Sequence, residues 1–169
     1  LLWESSSLKR NIKQKKSNKN SVVLVAGSFL GEKDMGPFEF KIPDTLIADT
    51  QAWIINTLKK MKYDVSVKVH PGGFFHNLKI QDRWNVPILN GGFDNEMIDA
   101  SVYIFDFAGT AFFDALASEK GIVLLDLKNR PFSIETYEDL QKRCQIISAK
   151  IDEFNRIRFD KNELKDSID

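Results

Sequence analysis

Val102-Tyr103-Ile104-Phe105-Asp106-Phe107-Ala108-Gly109-Thr110-Ala111-Phe112-Phe113-Asp114-Ala115-Leu116-Ala117 is the stretch whose reading decides the fold. Four consecutive apolar residues, 102–105, read as a strand buried on both faces. A short polar and glycine-containing loop follows. A helix is then expected from about Thr110 to Ser118, burying Phe112, Phe113 and Leu116. Working outward, similar apolar runs predict strands at 22–26, 65–69, 86–89 and 122–125. Between them lie helical stripes. Ile47, Ile54, Ile55, Leu58 and Met61 form one, with Asp44 or Asp49 expected as its N-cap. Ile134, Tyr137, Leu140, Cys144 and Ile147 form another, with Ser133 placed to cap it. Strands alternating with helices predict an α/β fold, a Rossmann-like three-layer sandwich around a mostly parallel sheet.

The 169 residues suit one domain. Hydrophobic content of 43% with 28% charged residues excludes wholesale disorder. Lys plus Arg equals Asp plus Glu at 24 each, so the surface carries no general attraction for nucleic acid or anionic membrane. One cysteine, Cys144, excludes an internal disulfide and points to a reducing, cytoplasmic compartment. No apolar run approaches the roughly 20 residues of a membrane-spanning helix. Residues 1–20, basic and free of acids from Lys9 to Lys19, are expected to be a linker, residues 21–150 the nucleotide-binding domain, and residues 151–169 a polar tail or helix. Because Leu1 replaces an initiator Met, the chain is expected to be a fragment of a longer protein.

In sheets of this class ligands gather beyond the carboxyl ends of the strands. Three loops there carry candidate chemistry. After the fourth strand, Gly109 permits close approach of a ligand and the helix start favours phosphate. Thr110 and Asp114, four apart, share a helix face: the hydroxyl suits a phosphate oxygen and the carboxylate a ribose diol. The competing reading makes Thr110 a helix cap and Asp114 a partner of the helix dipole. After the second strand, Pro71 holds His70 extended, where an imidazole can meet a phosphate or base, or simply satisfy its own turn. After the first strand, Gly27 and Ser28 open a loop with Gly31 and Lys33 that suits a phosphate cradle or a plain exposed turn; it lacks P-loop and dinucleotide spacing. A metal site from His70 and His76 has no supporting ligand spacing, so no metal is expected.

These residues together resemble the C-terminal domain of GT-B glycosyltransferases. Gly109 to Ala117 is similar to that family's Gly-Thr/Ser, three variable residues, Glu-Ala-Leu-Ala signature, with Asp114 in place of Glu. Lys68-Val69-His70-Pro71 looks like the His-Pro element of transferases that use CMP- or CDP-activated donors, including capsular Kdo transferases and bacterial sialyltransferases. Asp106 falls where the glycerophosphotransferases carry the Asp of an Asp-Tyr-Ser-Ser loop, although Ala108 and Gly109 stand where that loop has serines. Glu119 and Gly121 replace the Gly and Pro that usually follow the helix.

The resemblance implies the donor half of a surface-polysaccharide (capsule-type) glycosyltransferase. Its nucleotide-sugar donor is a substrate, no cofactor is needed, and the carbohydrate acceptor is bound by an N-terminal domain beyond this chain. Gly27, Ser28, His70, Pro71, Gly109, Thr110 and Asp114 would then contact the nucleotide, with His70 and Asp106 as candidate acid or base groups. Two other classes share the fold: a non-catalytic interaction module, and half of a nucleotide-sugar epimerase.

Overall fold

The computed structural model describes residues 20–27, 42–70, 84–93, 98, 100–128 and 131–169. Six parallel strands form one sheet: β1 (Ser21–Val25), β2 (Asp64–Lys68), β3 (Ile88–Leu89), β4 (Val102–Phe105), β5 (Gly121–Asp126) and β6 (Gln145–Ser148). Their spatial order is β3-β2-β1-β4-β5-β6, the doubly wound Rossmann order. The chain runs outward in one direction from β1 and, after returning to the centre, outward in the other from β4.

Period-two alternation assigns each strand's residues to the two faces. Val22, Leu24, Val65, Val67, Ile104 and Val123 pack against one set of elements; Val23, Val25, Tyr103, Phe105, Ile122 and Leu124 pack against another. Helix α1 (Asp44–Lys60) covers the first face through Ile54, Ile55 and Leu58. Helices α2 (Thr110–Leu116) and α3 (Ile134–Gln141) cover the second, with Phe112, Ala115 and Leu140 inward. The result is a three-layer α/β sandwich.

The strands fall within a residue or two of the expected positions, and the local departures have physical causes. Pro43, not Asp44 or Asp49, is the N-cap of α1, and no side chain caps it. Asp44 sits in the first turn, where its charge complements the helix dipole. Asp49 instead pairs with Arg158 at 2.7 Å. Ser133 does cap α3, accepting a bond from the Thr136 N–H. That helix stops at Gln141, well short of Ile147. Cys144 and Ile147 sit on opposite faces of the sheet, so their spacing only mimicked a helical stripe. The β-branched pair Ile146-Ile147 belongs to β6, a strand the periodicity concealed. Phe113, expected to be buried, is 48% exposed, because α2 is short and turns only Phe112 and Ala115 fully inward.

Residues 151–169 do not trail away from the domain. A small antiparallel hairpin, β7 (Lys150–Ile151) and β8 (Ile157–Arg158), leads into α4 (Lys161–Asp166). Ile157, Phe159 and Leu164 are buried in the same cluster as α1.

Arg143 ties α3 to the end of α2. Its guanidinium donates to the carbonyls of Leu116 and Lys120, each at 3.0 Å, and to that of Ser118. These carbonyls lie at and beyond a helix terminus and otherwise lack intrahelical partners. Arg143→Ala should therefore lower stability by about 1–3 kcal/mol, and Arg143→Lys should recover little, since one ammonium cannot reproduce the fork. Urea denaturation of the three proteins checks this; equal midpoints would refute it.

Candidate functional site

The order of the strands sets a topological switch point, where sheets of this class open a crevice. It lies between β1 and β4, whose following connections diverge to opposite sides, and such switch points are where open α/β sheets hold ligands. Val25 is in register with Lys68 on β2 and with Phe105 on β4. Gly27, His70 and Phe107 each follow two residues later, so the three loops leave the sheet at one level.

Gly27 and Asp106 close the floor of this crevice. The Gly27 N–H donates to Asp106 Oδ1 at 2.5 Å. Gln51, fully buried on α1, donates from Nε2 to Asp106 Oδ2 at 2.7 Å and to the Gly27 carbonyl at 3.4 Å. Two acceptors on one side fix the amide with nitrogen toward them. One carboxylate thus binds the ends of β1 and β4 to the helix between β1 and β2. Burial pushes the Asp106 carboxyl above its ordinary range; the bonds from Gln51 and Gly27 only partly oppose that shift. Both oxygens are engaged inside the fold, so Asp106 is best described as the brace of the switch point. The Gly27 N–H is correspondingly committed to Asp106 and is not turned toward an incoming phosphate.

Gln51 was not singled out in the sequence, yet the signal is there. It falls on the buried stripe of α1, four residues after Ile47 and three before Ile54, where a polar side chain demands a partner.

Phe107 packs close to both Gly27 and Gly109. A Cβ at Gly27 would come within 3.2 Å of Phe107 Cβ, and one at Gly109 within 3.0 Å of its ring. Both glycines therefore serve the close packing of Phe107, which remains 44% exposed. Gly109 is the N-cap of α2 in extended conformation, and its N–H turns back to the Phe107 carbonyl at 3.0 Å. Its carbonyl accepts from Phe112 and Phe113. Thr110 is the first helical residue and exposed, so it does not cap the helix. Asp114 lies beyond the first turn, half-buried, and does not complement the N-terminal dipole.

His70 is exposed beyond β2. Beneath it the Lys68 side chain is buried, donating to the Val69 carbonyl at 3.4 Å and to that of Gly91. On the other flank of β4, Asp126 holds Lys128 through its backbone N–H at 2.9 Å and its ammonium at 2.6 Å. Ser28 and Pro71 lie outside the described residues, as do Gly31, Lys33 and His76. Among the described residues no cluster of His, Cys, Asp or Glu could hold a metal ion, and no helix is long and apolar enough to cross a membrane. Cys144 is buried, with its thiol pushed up to about 11 by desolvation, and is suited to packing rather than nucleophilic chemistry. No family model, curated protein or solved structure matches the chain.

Proposed function

We propose that this chain is a nucleotide-binding domain, the donor half of a GT-B-type glycosyltransferase of surface-polysaccharide synthesis using a CMP- or CDP-activated sugar. The observation that carries the reading is that β1, β2 and β4 of a 3-2-1-4-5-6 sheet end in register, so that Gly27, His70 and Phe107 leave it from one edge. In this reading the phosphate lies at the start of α2 beside Thr110, and the ribose diol bonds to Asp114 one turn along. His70 stands beside the phosphate. Asp106 and both glycines are committed to internal bonds or packing, so in this reading Thr110 and the first N–H groups of α2 contribute to holding the anion, with His70 beside it.

Free nucleotide should bind weakly, with Kd on the order of 0.1–1 mM, because one wall of a two-domain cleft offers few contacts. Calorimetric titration with CMP, CDP, a UDP-sugar and inorganic phosphate tests this. Preference for a cytidine nucleotide is the expected result. His70→Ala and Asp114→Asn should each weaken binding by about 1–3 kcal/mol while leaving the fold intact. Preference for the UDP-sugar would move the reading to an epimerase half. No binding at millimolar ligand would favour the second reading, a non-catalytic interaction module. The specific observation behind that alternative is the internal engagement of Gly27 and Asp106, which a purely structural brace also explains.

A further inference from the structure

We infer that Asn90 is a site of spontaneous covalent modification, where the Gly91 backbone nitrogen closes on the Asn90 side chain while the protein is folded. This inference is independent of the nucleotide reading. Asn90-Gly91 is the only Asn-Gly pair in the sequence, and it lies just past β3 at the carboxyl edge of the sheet. Both residues are exposed. The last sheet bond before them runs from the Val69 N–H to the Leu89 carbonyl at 3.2 Å. The next tie along the chain runs from the buried Lys68 ammonium to the Gly91 carbonyl. Between these two ties lies the peptide plane that joins Asn90 to Gly91. Among the described residues no hydrogen bond holds that plane or the Asn90 side-chain amide.

That plane is the one the reaction must turn. A peptide unit rotates as a rigid whole, so a bond to its carbonyl also fixes its N–H. Gly91 carries no β-carbon to shield its nitrogen, and its φ of 89° costs glycine little. The nitrogen yields its proton to hydroxide and bonds to Asn90 Cγ, and the side-chain nitrogen leaves as ammonia. The product is a cyclic imide. Water opens the ring at either carbonyl. Breaking the bond to Cγ leaves an aspartate; breaking the bond to the backbone carbonyl leaves an isoaspartate, whose main chain is longer by a methylene. Either product sets a carboxylate next to the residue that Lys68 holds, and the isoaspartate also lengthens the path from Leu89 to that tie. Asn20-Ser21 gives the contrast. Its plane is pinned by the Asp64 N–H, which donates to the Asn20 carbonyl at 2.9 Å, and Ser21 opens β1. The same closure there is blocked while the fold persists.

The test incubates the full chain in mildly alkaline buffer, folded in one arm and unfolded by urea in the other. Peptide mapping by mass follows the loss of ammonia at each asparagine, and hydroxylamine, which cleaves the cyclic imide, marks the position. The folded chain should convert at Asn90 and split between Asn90 and Gly91. Folding should suppress conversion at Asn20 far more than at Asn90. Asn90→Gln should lose the reaction, because the longer side chain must close a larger ring; as an exposed substitution it should leave the thermal midpoint unchanged. If Asn90 converts only in urea, the folded backbone restrains it and the inference is overturned. It is equally overturned if folding slows Asn20 and Asn90 by the same factor, since transient unfolding then explains both. Reaction that persists in Asn90→Gln, or no reaction at Asn90 in either arm, overturns it as well.

Discussion

A chain truncated after Lys150 is expected not to form a stable protein, although the polar composition of residues 151–169 suggests a dispensable tail. Ile157, Phe159 and Leu164 are each at most 4% exposed and fill the cluster beneath α1. Burying three such side chains stabilises by roughly 5–9 kcal/mol at about 1.5–3 kcal/mol each. Domains of this size are stable by only about 5–15 kcal/mol in total, so the loss removes most of the margin. Polar ties go as well. Arg158 pairs with Asp49 and lies over the Trp53 ring at 5.7 Å, and Tyr63 donates to Asp169 at 2.5 Å. The truncated chain should show no cooperative thermal transition and should expose apolar surface to a hydrophobic dye. A cooperative transition within about 5 °C of the parent, equivalent to roughly 2 kcal/mol or less, would show that the segment is peripheral.

Removing the Asp106 carboxylate should be nearly as disruptive. Asp106→Ala leaves the Gly27 N–H and the buried Gln51 amide without their acceptor, at an expected net cost of about 2–4 kcal/mol. Asp106→Asn should cost much less. Its oxygen keeps the Gly27 bond, and rotation of the Gln51 amide turns Oε1, which has no hydrogen-bond partner among the described residues, toward the new NH2, at the loss of the long 3.4 Å bond from Nε2 to the Gly27 carbonyl. The asparagine variant also abolishes a pH dependence. Burial raises the Asp106 pKa above the ordinary 3.8, so the folded chain holds that proton more tightly than the unfolded chain. The group's contribution to stability is therefore fully present below 3.8 and declines as pH rises through the elevated folded value. Asp152, Asp160 and Asp169 shift downward through hydrogen bonds and neighbouring cations, giving the opposite slope, so the informative quantity is the difference between parent and Asp106→Asn. Denaturation from pH 4 to 8 should show that difference moving in favour of Asn as pH rises. A constant difference would mean that Asp106 is ionised in the folded chain as in the unfolded one across this range, so that its pKa is not raised.

Local pattern carried much of the architecture. Apolar runs such as 102–105 and 122–125, separated by helical stripes, specify strands buried on both faces and hence a parallel sheet with helices on each side, because backbone periodicity and burial are properties of neighbouring residues. The loops that leave the carboxyl edge followed from the same alternation. Three things did not. The helical spacing of Leu140, Cys144 and Ile147 arises by coincidence in a chain that turns from α3 into β6, since spacing records which residues are apolar and not which face each one reaches. The burial of Ile157, Phe159 and Leu164 depends on α1, a partner roughly a hundred residues away. Asp106 looked like a free acid among loop residues, and only the return of β1 and α1 to its side surrounds it with Gly27 and Gln51. Sequence determined the elements and the edge at which they open; tertiary packing decided which polar groups at that edge remain available, because desolvation and hydrogen-bond satisfaction depend on residues that meet only when the chain is folded.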